Sequence, residues 1–254
     1  MKEMENLKPG IRARRILWGV VILLALIGVF AVARRAAHLA PILIHGYSPP
    51  AVPSNPKLAQ FAALDDVFAR YPVLTFIHIL PGLLFIALGP LQFSYTFRQR
   101  HLRWHRRSGR ILILCGAVIG GTALVMSLAM PSIGGVNQAA ATTLFGLWFL
   151  FALGKAFLHI LRREVALHRE WMIRAFSIGL AVGAIRPIIA VFFATSPFSG
   201  LTPREFFGAG FWIGFSLHLI AAEVWIQWTR PQRTALPSGS SPTTKNDVIS
   251  HLLR

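Results

Sequence analysis

Long apolar stretches, separated by short arginine-rich segments, decide what this chain can become. A helix needs roughly 20 apolar residues to cross the hydrocarbon of a bilayer. About six stretches meet that length: Ile16–Ala33, Pro72–Phe93, Ile111–Met130, Ala139–Leu161, Ala175–Thr195 and Phe206–Trp228. In lipid each backbone polar group must be satisfied internally, and runs this long do so as helices. The sequence therefore predicts an all-α fold, a polytopic membrane helix bundle of about six transmembrane helices. Composition agrees, since only 14% of the 254 residues are charged, against about a quarter in a soluble domain. The expected organisation is an N-terminal segment over 1–15, a bundle over 16–228 with an outer loop at 34–71, and a disordered tail over 229–254. That tail is dominated by Pro, Ser, Thr and Gly. The first run exceeds the ~7–15 apolar residues of a signal-peptide core, so it reads as a span.

The net charge of +17 would suit nucleic acid if the cations formed one patch. They do not. Arg12, Arg14 and Arg15 precede the first run, six arginines from Arg98 to Arg110 follow the second, Arg162 to Arg174 follow the fourth, and Arg230 and Arg233 follow the sixth. In an even-numbered topology these segments share one side, which places both termini in the cytoplasm and excludes nucleic acid as the partner. The expected partners are the lipid bilayer and, at the cytoplasmic face, anionic lipid headgroups. Arg34 and Arg35 are the local conflict with this rule. On their side, Asp65, Asp66 and Glu205 offset the cations. The outer loop predicts a short surface helix, capped by Asn55, opened by Pro56 and apolar at Leu58, Phe61, Leu64 and Phe68. Such a helix would lie as a lid or as a connector packed on the bundle.

Ionisable groups inside the runs carry the functional signal, because they are costly in hydrocarbon. His78, Gly82, Phe85, Gly89 and Gln92 recur at three- or four-residue steps and share one helical face. That smooth face would admit either a neighbouring helix or a flat cofactor such as haem. Arg186 lies near the middle of the fifth run, before Pro187, and His218 near the middle of the sixth. Near the cytoplasmic boundary stand Gln92, His105, Arg110, His159, His168 and Arg174. Ser108 is expected to cap the third helix. The single cysteine, Cys115, excludes an internal disulfide. Paired intramembrane carboxylates, a Gly-x-Ser-x-Gly elbow, a His-Glu-x-x-His pair and a phosphate-binding glycine loop are all missing, so hydrolytic chemistry has no support.

His78, Gly89-Pro-Leu-Gln92-Phe, His105-Arg-Arg-Ser-Gly-Arg110, His168-Arg-Glu-Trp-Met172-Ile-Arg174 and Arg186 together resemble the pattern of the bacterial DUF2306 membrane proteins. The resemblance covers roughly Pro72 to Thr195 and is expected to take in the sixth run. It implies a multi-pass protein of the bacterial cytoplasmic (inner) membrane and implies no activity.

Three functions remain open on the residues. The first is a haem-binding or quinone-interacting redox protein, with haem b as cofactor and a quinone or membrane redox protein as partner. In it, His78 with His218 would ligate haem iron or line an outer site, and His105 with His168 would do so near the cytoplasm. Arg186, Arg110 and Arg174 would pair with the negative groups of the bound molecule. The second is a transporter or channel-like protein for a small anion or proton, centred on Arg186. The third is a lipid-binding or membrane-assembly protein without catalysis. The first two share one geometric requirement: His78, Arg186 and His218 should project into a common cavity.

Overall fold

The computed structural model describes residues 10–49, 54 and 56–230, apart from the side chains of Pro56, Lys57, Leu58, Gln60, Phe61 and Leu64. Among the described residues all regular structure is helical: α1 (Ile11–His45), α2 (Pro56–Ala69), α3 (Pro72–Phe93), α4 (Tyr95–Arg100), α5 (Leu102–Ala129), α6 (Gly135–Leu161), α7 (Val165–Ser199) and α8 (Pro203–Thr229). Six of these, α1, α3, α5, α6, α7 and α8, are long and apolar enough to cross a membrane. An even number of crossings leaves both ends of the described chain on one face, here called the termini face. The short helix α2, between the first two crossings, marks the other as the lid face.

The observed α3 coincides with its apolar run. Others outlast theirs. α1 and α7 have 35 residues each, about 52 Å at 1.5 Å per residue, against ~30 Å of hydrocarbon. Apolarity reports the slab that a helix crosses, whereas arginine is a good helix former on either side of it. So α1 begins at Ile11, inside the expected terminal segment, and runs to His45, shortening the outer loop. It stops at Gly46, whose φ of 83° disfavours other residues and whose N–H returns to the Ile42 carbonyl. α7 ends likewise at Gly200, with φ 67°. α8 opens on a capping box, Thr202 with Glu205, and Pro203 in the first turn.

One helix start differs in a way that matters. α5 begins at Leu102, so Ser108 lies inside it and caps nothing. Its hydroxyl donates to the Trp104 carbonyl at 2.7 Å and accepts from Gln92 Nε2 of α3 at 2.8 Å. The expected surface helix exists as α2. Its cap Asn55 and the side chains of Leu58, Phe61 and Leu64 lie outside the described residues. Of the expected tail, Thr229 closes α8 and Arg230 is anchored on Glu170, and residues 231–254 lie outside the described residues.

α7 is the central element. It packs against α1, α3, α6 and α8, while α3 also packs against α1 and α5, and α6 against α5 and α8. Among the described residues, α5 does not pack on α7, nor α1 on α8. The middle of the bundle is filled by phenylalanines seated on glycines. Phe176 of α7 occupies the place where a Gly89 side chain would stand, and Phe85 of α3 does the same at Gly179. Their rings lie 5.9 Å apart, with Phe149 5.7 Å from Phe85. Without a hydrophobic drive between helices in lipid, such close packing is what holds them together.

Candidate functional site

The smooth face of α3 is a helix contact. Gly89 takes the Phe176 ring, Phe85 is buried against Gly116 and Gly179, and Gln92 bonds Ser108. Gly82 alone faces open space. At Gly89 the Phe176 ring of α7 takes the place that the sequence left open to a flat cofactor.

His78, Arg186 and His218 do not share a cavity. His78 Nδ1 lies 2.9 Å from Thr122 Oγ1 of α5. That hydroxyl donates to the Val118 carbonyl, so it accepts the proton of Nδ1. His218, on α8, gives its Nδ1 proton to the Gly214 carbonyl one turn back, at 2.9 Å. α8 packs on neither α3 nor α5, so the two histidines belong to separate helix contacts. Arg186 Nη1 donates to the Val182 carbonyl of its own helix at 2.6 Å. The depth expectation fares better. Gly214 packs on Ile185, which puts His218 within about a turn of Arg186. Equal depth did not bring equal direction.

The Arg34 and Arg35 conflict resolves through the lid. Both guanidiniums hold Asp65 of α2, Arg34 at 3.1 and 3.2 Å and Arg35 at 2.6 Å, and Arg35 also lies over the Phe68 ring at 4.2 Å. Burial opposes ionisation of Asp65, but the Arg34 bond and the Arg35 and Arg34 charges outweigh it and hold the carboxyl below its usual range. Asp66 is held down by the Tyr47 hydroxyl, which donates to it at 2.5 Å, and then by Arg70 at 2.9 Å.

The termini face assembles more. His168 of α7 donates its Nδ1 proton to the Ala156 carbonyl of α6 at 2.8 Å. Its Nε2 is thereby left with a free lone pair. His105 of α5 lies within electrostatic reach of His168 and of Arg98 of α4. Its Nδ1 is buried without a hydrogen-bond partner among the described residues. Arg98 is also within reach of Arg169. His105 and His168 thus lie within electrostatic reach of each other on α5 and α7, two helices that do not pack together, with Arg98 and Arg169 nearby. His159 takes a different role, bonding Glu164 at 2.5 Å as a helix terminus. Arg110 is exposed. Arg174, expected to await an anionic ligand, already has one: Glu223 of α8 accepts from its Nε at 2.5 Å and its Nη2 at 2.9 Å. Glu170 and Arg230 form a second bidentate clamp at 2.9 and 2.7 Å.

Sequence reasoning missed the clamps and Lys155. The lysine lies within the fourth run, its Nζ 5.7 Å from the Trp171 ring centroid, where Arg174 Cζ also stands at 4.6 Å. The signal was present, a lone lysine in an apolar span. The clamps were harder to see, because each joins residues 49 or 60 positions apart.

A family model described as "Predicted membrane protein (DUF2306)" matches residues 75–226, more than half of the chain. The chain belongs to the DUF2306 family. The match begins in α3 and ends in α8, so the family region contains both histidine levels and Arg186, and excludes α1 and the lid. No curated protein and no solved structure matches the chain.

Proposed function

We propose that this multi-pass membrane protein holds a redox-active group of the haem type at its termini face, between α5 and α7. The observation that carries the reading is the pairing of His105 and His168 across two helices that do not pack. Histidine Nδ1–H donated to a backbone carbonyl, as in His168, is the usual support for an Nε2 metal ligand. The buried, unpartnered Nδ1 of His105 costs free energy unless the ring finds a use. Arg98 and Arg169 supply positive charge for acidic substituents such as propionates. Bound there, the group would supply electron transfer. The protein's residues would ligate it, fix the ring orientation and neutralise its acids. The outer site, which required His78, Arg186 and His218 in one cavity, falls away, and the transport reading centred on Arg186 falls with it. What is proposed is the termini-face pair alone, without His78, His218 or Arg174, which Glu223 occupies.

The termini face carries most of the described arginines, so it is the cytoplasmic side of a bacterial inner membrane in this reading. A surface depression at the α4–α5 elbow, lined by Arg100, His101, Arg103, Trp104 and Arg107, suits anionic headgroups there. The test is an absorption spectrum of the detergent-purified protein made with haem available. A Soret band that survives His78→Ala and His218→Ala but is lost in His105→Ala and His168→Ala supports the assignment. Colourless protein after reconstitution with haem overturns it.

A further inference from the structure

The group with the least explanation is Arg186. It lies near the middle of α7 and is exposed on the bundle surface. An arginine at the centre of a spanning helix costs at least about 2.5 kcal/mol. Such side chains ordinarily relieve this by reaching toward a membrane face. Arg186 instead turns back one helical turn toward the middle of the bundle, where its guanidinium meets the Val182 carbonyl.

Its direction follows from its neighbours. α1 comes close at Gly183, where a Cβ would stand 2.5 Å from the Leu24 carbonyl oxygen. Ile185 packs on Gly214 of α8. At about 100° per residue, Arg186 falls between these two directions on the outward side, with exposed Val182 and Ala190 on the same stripe. α1 and α8 do not pack on each other. Arg186 therefore lies in a groove floored by α7, walled by α1 and α8, and open to the membrane. Exposed Leu23 and Leu26 of α1 and exposed Ile213, Leu217 and Ile220 of α8 make the helices on either side apolar.

Among the described residues, no carboxylate supplies the countercharge. Arg34 and Arg35 lie within electrostatic reach of Arg186 and add positive charge there. Each described carboxylate is already engaged: Asp65 by Arg34 and Arg35, Asp66 by Tyr47 and Arg70, Glu164 by His159, Glu170 by Arg230, Glu205 by Thr202 and Glu223 by Arg174. The other acids, Glu3, Glu5 and Asp247, fall in no membrane-crossing run. A second copy thus brings no free intramembrane carboxylate. Phosphate headgroups lie at the bilayer surface, and the guanidinium turns away from the nearer one.

We propose that the groove between α1 and α8 receives a membrane-spanning helix of a different protein, whose Asp or Glu side chain pairs with Arg186. An arginine fork matches a carboxylate bidentately, and hydrocarbon strengthens the pair. This interface is independent of the termini-face site and stands whether or not haem binds there.

The test uses the full chain in phosphatidylcholine vesicles, with a donor dye at its N-terminus. The probe is an acceptor-labelled Leu-rich transmembrane peptide with a single central Asp, compared with the same peptide carrying Leu there. The acidic helix should bind about tenfold more tightly, the scale of an intramembrane polar contact. Arg186→Gln should remove the preference. Ala190→Phe, which keeps the arginine and fills the groove, should weaken both peptides. Equal binding of the two peptides, or a preference that survives Arg186→Gln, overturns the proposal. So does self-association lost in Arg186→Gln, which would make a second copy the occupant. Competition by phosphatidylglycerol would assign the groove to a lipid and overturn it equally.

Discussion

At the termini end of the bundle, charges meet across helices: Arg174 of α7 grips Glu223 of α8, and Arg230 grips Glu170. In the middle of the bundle, His218 and Arg186 turn to carbonyls of their own helices, and at the lid end Arg34 and Arg35 reach out of the bundle to α2. Histidine and arginine occur at both ends, so residue type does not set the difference. The carboxylates do. Glu170 and Glu223 sit on crossing helices, whereas Asp65 and Asp66 sit on the lid. Cations opposite a carboxylate on another crossing helix become interhelical fasteners. Cations without one are left to the backbone, to the lid, or to another molecule.

The sharpest way to break this contrast is to remove the carboxylate. Glu223→Ala strands Arg174, whose side chain keeps only 12% of its exposure. Leaving one partner of a buried pair uncompensated costs about 3–5 kcal/mol. Because Glu223 is 39% exposed, we expect the lower part of that range, about 3 kcal/mol. The double substitution Arg174→Met with Glu223→Leu should recover most of it. On the lid side, Arg34→Ala should cost no more than about 1 kcal/mol, since Arg34 is 54% exposed. Thermal unfolding in one detergent compares all three. Equal losses for Glu223→Ala and Arg34→Ala would show that the two ends are held alike.

Packing offers a second contrast, expected to be smaller. Gly183→Ala sets a methyl 2.5 Å from the Leu24 carbonyl oxygen, and backbone does not yield cheaply. α1 must shift, at a cost of about 1–3 kcal/mol. Gly82→Ala meets nothing within 4 Å and should fall within about 1 kcal/mol of the native chain, on the stabilising side. The two unfolding midpoints should therefore move in opposite directions. A Gly82 substitution as damaging as the one at Gly183 would mean that something occupies the open space beside it.

The helices were legible in the sequence because hydrocarbon imposes one strong requirement, length with very little charge, and all six crossings meet it. Their ends were less legible, since a helix that continues past the slab on charged residues leaves no hydropathy signal: Leu102 to Arg110 reads as a basic loop and folds as the first turns of α5. For the site, the sequence located depth and missed direction. His78 and His218 were credible partners by depth, and helix order separated them. Arg174 looked free because its partner Glu223 lies 49 residues on. Arg186 was recognisable at once, since an arginine inside an apolar run needs only one helix to be noticed.

The smallest expected effect concerns the lid alone and sharpens the contrast by pH. Asp65 and Asp66 are both held below the ordinary carboxylate range. A carboxyl with a depressed folded pKa contributes stability that is fully present above its unfolded value of about 3.9, and loses it as pH falls through the folded value. Attachment of α2 should therefore be unchanged from neutral pH down to about pH 4 and weaken below it. Hydrogen exchange within residues 56–69 should accelerate in that acid window. Exchange in the middle of α7, whose packing rests on phenylalanine and glycine, should not follow it. Asp65→Asn with Asp66→Asn should reproduce the fast exchange at neutral pH and abolish its acid dependence. If α7 loosens together with α2, the lid is part of the cooperative core, and the two ends of the bundle are not separable.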